Sequence, residues 1–513
     1  MKTLPLVLRT AAFAAAISCA PQAVRAATYY WDTTTTGLWA TGANWSNDAT
    51  SGGTTGVVPG SGDIAVLNQS SVNGNETVQF GADATVGGIT FANTGTTLLQ
   101  SNSSTVRTLN LGASGITVNS GAGAVTIGDT TNILNVSLSQ SATTFTLNGG
   151  SGLTLVNAVT QTSSASNIAT TVNGAGNTLT LGNYNLANAG TGKTVTINGS
   201  ANVQISGTVA DNSTTASNLV YSGTGTLTLS GSNTYTGTTT IGGGGTVSIG
   251  GVGGLGNATS AVAFTVGNAT AGKLSYTGNS TTFTRGFSLS NANTIGQIDT
   301  TTAGQTLTIA TGNIVFGVSS QTLIIGGAGN TTISSNITGG GKLTKQDAGT
   351  LLLTGANTYS GATTINGGTL ALGATNALAT NTAITLGGGT LNLGGFNPAA
   401  AFTTALTVTS GSTIDFGSHI TGMTLKFANS SAATWTGTLS LLNFNVGTDT
   451  LSFTSLSGLT VGQLSQISLA GYTATGLNAS GNVQFSAVPE PATSAALGGL
   501  AALAFIAIRR RRA

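Results

Sequence analysis

The chain has 513 residues, 77 of them Gly and only 5 % charged, about a fifth of the ~25 % usual in soluble domains. So few Glu, Lys and Arg exclude a helical or doubly wound fold; six Pro without a three-residue Gly period exclude collagen, and recurrent Val, Ile and Leu exclude simple disorder. The net charge of +2 comes from the chain ends, since residues 27–487 hold seven basic and eleven acidic side chains, or −4, with no basic stripe for nucleic acid.

Residues 1–26 have a basic start (Lys2, Arg9), an apolar stretch Ala11–Ile17 and a small-residue end at Val24-Arg25-Ala26. This pattern predicts a secretory signal peptide, removed by signal peptidase after Ala26 once the export machinery has taken the chain. A lipoprotein cut before Cys19 is the alternative, disfavoured because Ala16, three residues upstream, is not a large aliphatic. Cys19 is the only cysteine, so residues 27–487 have no disulfide and no thiolate metal site. Trp31, Trp39 and Trp45 open this body and Trp435 lies near its far end, a placement that suits caps over open strand edges. A platform for stacking sugars is the competing reading of the four rings.

The body, residues 27–487, is written in four- or five-residue alternations bounded by Gly, Asn or Ser. Thr226-Leu227-Thr228-Leu229 and Thr246-Val247-Ser248-Ile249 are examples. Period two describes strands with one buried face, and no window keeps a helical period free of Gly or β-branched runs. Gly225–Ile241 aligns without gaps to Gly349–Ile365, and each copy continues through a Gly turn into another strand, giving repeats at 225–250 and 349–373. Such a unit of about 25 residues holds three strands and cannot bury its apolar face alone, so equivalent units must stack. Three strands per turn predict an all-β, right-handed parallel β-helix. Turns of ~22 residues give about 20 coils and a rod on the order of 100 Å long.

Possible chemistry is sparse. Ala187–Thr194 fits a loose phosphate-loop pattern, but Thr194–Gly199 continues as strand and turn where a phosphate loop needs a helix. Gly242–Gly245 is a corner for the same reason. His419, the sole histidine, reads as a hydrogen-bonded turn residue, and one His without Cys cannot build a zinc site. Parallel β-helices can host polysaccharide lyases and glycoside hydrolases, which need converging carboxylates. Asp63, Glu76, Asp83, Asp129, Asp211, Asp299, Asp347, Asp415 and Asp449 are instead widely spread. Glu76 with Asp83, and Lys342 and Lys345 with Asp347, are the nearest charge groups and read as solvated surface. No catalytic residue, cofactor or metal is expected.

The two repeats resemble the autotransporter-associated β-strand repeat, also called the passenger-associated transport repeat. Lys273–Tyr276 with Thr281–Phe287, the opening Tyr30-Trp31-Asp32 with Trp39 and Asn44-Trp45, and the closing Ser431–Gly437 are similar to other segments of such proteins. Autotransporters end in a membrane barrel, and no room for one follows Phe485; a passenger-like remnant is therefore the third reading, beside a structural protein and a carbohydrate-degrading enzyme.

The chain closes with Val488-Pro489-Glu490-Pro491, an apolar run 492–508, and Arg509, Arg510, Arg511 and Arg512. At ~1.5 Å per residue the run spans about 26 Å as a helix, enough for a thin bilayer, with the arginines on the cytoplasmic side. Residues 488–513 resemble the PEP-CTERM sorting signal. That resemblance makes Pro489, Glu490 and Pro491 the recognition element and implies an exosortase-type membrane protease as partner, with sorting to the cell surface or exopolysaccharide. The expected protein is an exported bacterial surface or extracellular (biofilm) matrix rod, structural or adhesive and not an enzyme. Its precursor is anchored in the inner membrane, and its hydroxyl-rich faces are open to glycans.

Overall fold

The computed structural model describes residues 26–488 apart from 33–35, 50–55, 68–73, 151, 258–260, 266–270 and 399. The signal-peptide segment 1–25, the motif 489–491, the apolar run 492–508 and the arginine tail lie outside the described residues. Among those described, no helix is long and apolar enough to cross a membrane.

Alternation of Thr with aliphatic residues makes short strands whose side chains point by turns outward and inward. In Thr226–Leu229, Thr246–Ile249, Thr350–Leu353 and Thr369–Leu372 every second residue is buried and the others stay partly exposed. A four-residue strand cannot bury that face unaided. The chain therefore winds into a right-handed parallel solenoid of about 16 turns, each strand pairing with its equivalents one turn earlier and later.

Three sheets run along it. The through sheet has 16 strands in chain order, from Thr36–Leu38 to Leu406–Val408. An 18-stranded N-terminal sheet splits beyond Arg107–Val118 into two stacks, one through Leu134–Leu138 ending at Val209–Ala210 and one through Ala142–Leu147 ending at Ile337–Gly339, so these coils hold the three strands expected. An 11-stranded C-terminal sheet runs from Thr281–Phe283 to Val483–Ala487. At ~4.8 Å per strand the through sheet, which spans residues 36–408, is about 70 Å long, and the solenoid has about 16 turns where a uniform ~22-residue coil gives about 20. The reason is coil length. Within the repeat Leu227 stacks on Val247, a short coil, but elsewhere Val247 stacks on Leu274 and Thr97 on Val125, and these coils take up more chain.

The repeat also closes differently from expectation. Its three strands form where the sequence places them, yet the third stacks on the first: Thr226 pairs with Thr246, and Thr350 with Thr369. One turn of the repeat thus holds two strands and an irregular Asn-Thr-Tyr corner, not three strands. The copies lie on different sheets as well. Thr226–Leu229 belongs to the through sheet and Thr239–Ile241 to the N-terminal one, whereas Thr350–Leu353 belongs to the C-terminal sheet and Thr363–Ile365 to the through sheet.

A single hydrophobic core fills the interior from Trp31 to Val483. At its start Trp31 pairs with Trp45 across an antiparallel bridge, their ring centroids 5.0 Å apart. Trp39 packs 4.8 Å from Trp45 and stacks 5.0 Å from Phe80. At the far end Trp435 donates its indole N–H to the Leu406 carbonyl at 2.9 Å. A helical turn, Val461–Ser465, held by a capping box between Thr460 and Gln463, and the antiparallel hairpin Tyr472–Leu477 with Val483–Ala487 finish that end. Trp31, Trp39 and Trp45 are buried inside the first coils, while Trp435, 8 % exposed, lines a shallow surface pocket with Thr460 and Gln466.

Candidate functional site

The outward face of the N-terminal sheet carries an extended polar groove built on regular strands. The strand Arg107–Val118 is long enough to bend, its first half pairing with Leu134–Leu138 and its last residues with Ala142–Leu147. Gly115 sits at the bend with φ +62°, where a Cβ would run into the Thr144 carbonyl oxygen. Outside the first half lies a groove of about 330 Å3 lined by Asp83, Thr108, Asn110, Asn135, Ser137 and Thr160, among others. Its side chains are cross-linked between coils. Asn110 Nδ2 donates to the Ala84 carbonyl at 3.3 Å, Ser137 and Thr162 hydroxyls lie 2.8 Å apart, and Asn185 Nδ2 donates to Thr160 Oγ1 at 3.0 Å. Successive coils thus present a row of amides and hydroxyls at ~4.8 Å spacing, with Asp83 as the charged member.

The carboxylates meanwhile staple the coil. Asp83 accepts the Thr108 N–H at 2.9 Å, Asp211 those of Ser217 and Thr236 at 2.9 and 2.8 Å, and Asp347 that of Gly327 at 2.9 Å. Asp63, Asp129, Asp415 and Asp449 likewise accept backbone N–H groups. Asp129 is held below the ordinary carboxylate range, chiefly by the Asn132 N–H. Protonation of Asp129 would displace hydrogen bonds already made, which is the physical cause of that shift.

Glu76 and Asp299 depart from that rule. Glu76 was expected on the surface with Asp83, but it is 5 % exposed, on an inward position whose later members are Thr97, Val125 and Leu153. Desolvation raises its carboxyl to about 7, with Asn93 and Thr97 offsetting part of the effect. Lys345, also expected to be solvated, is 1 % exposed in the inward row between Ile325 and Ile365. Its Nζ donates to the carbonyls of Gln346, Asp347 and Gly367, and burial pushes the ammonium down to about 8. Asp299 pairs with Lys273 at 3.3 Å and accepts from Gln297. A Cβ on Gly326 would stand 2.6 Å from both Asp299 Oδ1 and Asp347 Oδ2, so these two carboxylates, far apart in sequence, flank one glycine.

The remaining sequence candidates resolve simply. In 187–194, Ala189 and Gly190 take left-handed turns, Lys193 Nζ donates to the Ala165 carbonyl, and a strand follows from Thr194. Gly242–Gly245 joins two strands, Thr239–Ile241 and Thr246–Ile249. Neither segment offers a helix N-terminus for phosphate. His419 is the hydrogen-bonded turn residue expected: one ring nitrogen lies 2.9 Å from the Gly417 carbonyl and the other 2.8 Å from Asp449. The Gly417 contact leads in raising its pKa, with Asp449 adding to it.

What the repeat keeps between its copies is now visible. Asn233 and Asn357 are buried corner residues. Asn233 accepts the Val209 N–H at 2.7 Å from the preceding coil and donates to the Gly254 carbonyl in the next. Asn357 does the same between Ile337 N–H and the Ala377 carbonyl. Two residues on, Tyr235 bonds Thr239 at 2.6 Å and Tyr359 bonds Thr363 at 2.7 Å, all four buried. Sequence reasoning treats this segment as a turn only. The identical Asn-Thr-Tyr followed by Thr four residues after Tyr is the signal that could have found it.

Family comparison agrees with this geometry. The passenger-associated-transport-repeat model matches residues 219–249 and 343–372, and the PEP-CTERM protein-sorting motif matches 487–512. The chain carries both. Each repeat match begins one strand earlier than the duplicated sequence, at Leu219 and Leu343, and so takes in a full turn together with the strand on which the next turn stacks. No curated protein and no solved structure gives a significant match. The sorting motif and the repeats indicate an exported, surface-directed bacterial protein, and the motif implies processing by an exosortase-type protease.

Proposed function

We propose that the mature chain is a non-catalytic structural rod of the bacterial surface or extracellular matrix, which adheres to polysaccharide through the polar groove beside Arg107–Val118. In this reading the signal peptide is removed after Ala26, and residues 492–508 anchor the precursor in the membrane until the tail is processed. The observation that carries it is the contrast between the two kinds of polar group. Most carboxylates of the coil are committed to backbone N–H groups, while amides and hydroxyls line an open groove with further donors and acceptors to offer. Affinity electrophoresis of the exported protein in gels holding matrix polysaccharides tests this. Retardation that weakens in Asn110→Ala with Asn135→Ala is expected; no retardation by any matrix polysaccharide refutes it.

A polysaccharide lyase or glycoside hydrolase is the second reading, favoured by Asp299 and Asp347 facing each other across Gly326 with Lys273 beside them. Turnover of matrix polysaccharide that disappears in Asp299→Asn or Asp347→Asn would replace the structural reading with this one.

A further inference from the structure

We propose that signal-peptide removal builds an ion pair into the N-terminal cap, the α-ammonium freed at Ala27 being held by the Asp63 carboxylate. The inference rests on the cut after Ala26 proposed above. The backbone nitrogen of Ala27 lies 3.0 Å from Asp63 Oδ1, across 36 residues of sequence. Asp63 is fixed for this contact: its Oδ2 accepts the Gly60 N–H at 2.9 Å, its own N–H donates to the Gly60 carbonyl at 3.0 Å, and its carbonyl accepts from Gly88. Ala27 is fixed too. Its carbonyl accepts the Ile64 N–H at 2.8 Å, and from Thr28 onward the strand pairs in parallel with Ile64–Leu67. Ala26, immediately before it, is exposed and belongs to no strand, so the scissile bond stands outside the sheet while the new terminus is tied to it.

Hydrolysis of the Ala26–Ala27 amide puts the hydroxyl of water on the Ala26 carbonyl carbon and its hydrogen on the Ala27 nitrogen. The new Ala26 carboxyl gives up a proton, and the new amine, with an ordinary pKa of ~7.7–8.0, takes one up near neutral pH. A neutral N–H donor to Asp63 thereby becomes an ammonium donor at the same atom. Charge-assisted hydrogen bonds are shorter and about twice as strong as neutral ones. The gain falls on the strand that carries Trp31, the first ring of the aromatic cap.

The test uses the full chain exported by its own host, in four forms: unaltered, Asp63→Asn, a Gly-Ser insertion between Ala26 and Ala27, and both changes together. N-terminal sequencing must find Ala27 first in the unaltered protein and Gly-Ser first after the insertion. Hydrogen exchange of the amides of Thr28–Tyr30 and Ile64–Val66 then reads the cap. Roughly fivefold faster exchange is expected in either single variant, with little further change on combining them, because each removes the same pair. Unchanged exchange after the insertion, or additive effects in the combined form, overturns the ion pair. A mature start other than Ala27 overturns the cut itself, and with it the proposal. Should Asp63→Asn fail to fold, the insertion alone decides the matter, since it leaves the Ala27 N–H in place and moves only the charge.

Discussion

Replacing Glu76 by Gln should remove a pH dependence that the first coils now carry. The side chain points into the core where later coils place Thr97, Val125 and Leu153, and burial lifts its carboxyl from 4.5 to about 7. A raised carboxyl pKa means that the folded state binds the proton more tightly than the unfolded one. Stability from this site is therefore complete below pH 4.5, declines between 4.5 and 7, and is flat above 7. At 1.36 kcal/mol per pKa unit the loss amounts to about 3 kcal/mol. Solenoids open coil by coil, so a local reading is needed. Hydrogen exchange of the Thr77–Gln79 amides, corrected for intrinsic rates and followed from pH 5 to pH 9, supplies it. The wild type should lose up to ~100-fold protection over that range. Glu76→Gln should hold its protection constant and exceed the wild type at pH 9. Equal slopes in the two proteins would refute the assignment of the buried carboxyl.

Three further outcomes follow from the same geometry. Asn357→Ala leaves the Ile337 N–H and the Ala377 carbonyl unpaired inside the rod and should cost about 2–4 kcal/mol in urea unfolding; the outward Thr228→Ala should change it by less than about 0.5 kcal/mol. Lys345→Met should remove a pH dependence, because the wild type loses about 3 kcal/mol of stability as pH falls from 10.5 to about 8 and stays at the lower level below that; an equal loss in both proteins between pH 11 and pH 7 would contradict it. His419 has a raised pKa, so its contribution is complete below pH 6.5 and lost as pH rises through the folded value. His419→Gln should flatten that dependence, read from exchange at the Met423 and Asn445 amides that bond to Asp449.

Strand positions, inward faces and stacking were legible because each is local or repeated: Thr-Leu alternation names the buried residues of Thr226–Leu229 without any knowledge of neighbours. Coil closure was not legible. Whether Thr246 begins a third side or returns to the first depends on how sharply Asn233-Thr234-Tyr235 turns, and that turn is set by hydrogen bonds to coils above and below, 24 and 21 residues away. The convergence of Asp299 with Asp347 was hidden for a related reason. It depends on two successive registers, Asp299 with Gly326 and Ile325 with Lys345, and an error in either coil length separates the acids. Glu76 and Lys345 were misread as surface because charge was allowed to outweigh strand phase; counting by two from Val78 and Leu343 places both inward.

The two repeat copies show what kind of information the motif holds. Nearly the same residues lie on one pair of sheets at 226–241 and on another pair at 350–365, so the motif cannot be specifying a face of the rod. It specifies a turn: two strands, a buried Asn that bonds both neighbouring coils, and a Tyr-Thr pair that fills the corner. The Asn bonds reach one coil up and one coil down, the Tyr-Thr bond stays within its own corner, and none reaches farther. Such a turn can be inserted wherever a neighbour supplies backbone groups in register, which leaves the other coils free to vary in length. The same locality leaves the ends as the places where stacking partners run out. That is why the bulky indoles, the helical turn and the antiparallel hairpins collect there, and why a charge added at Ala27 would act on the first coil and the strand stacked on it.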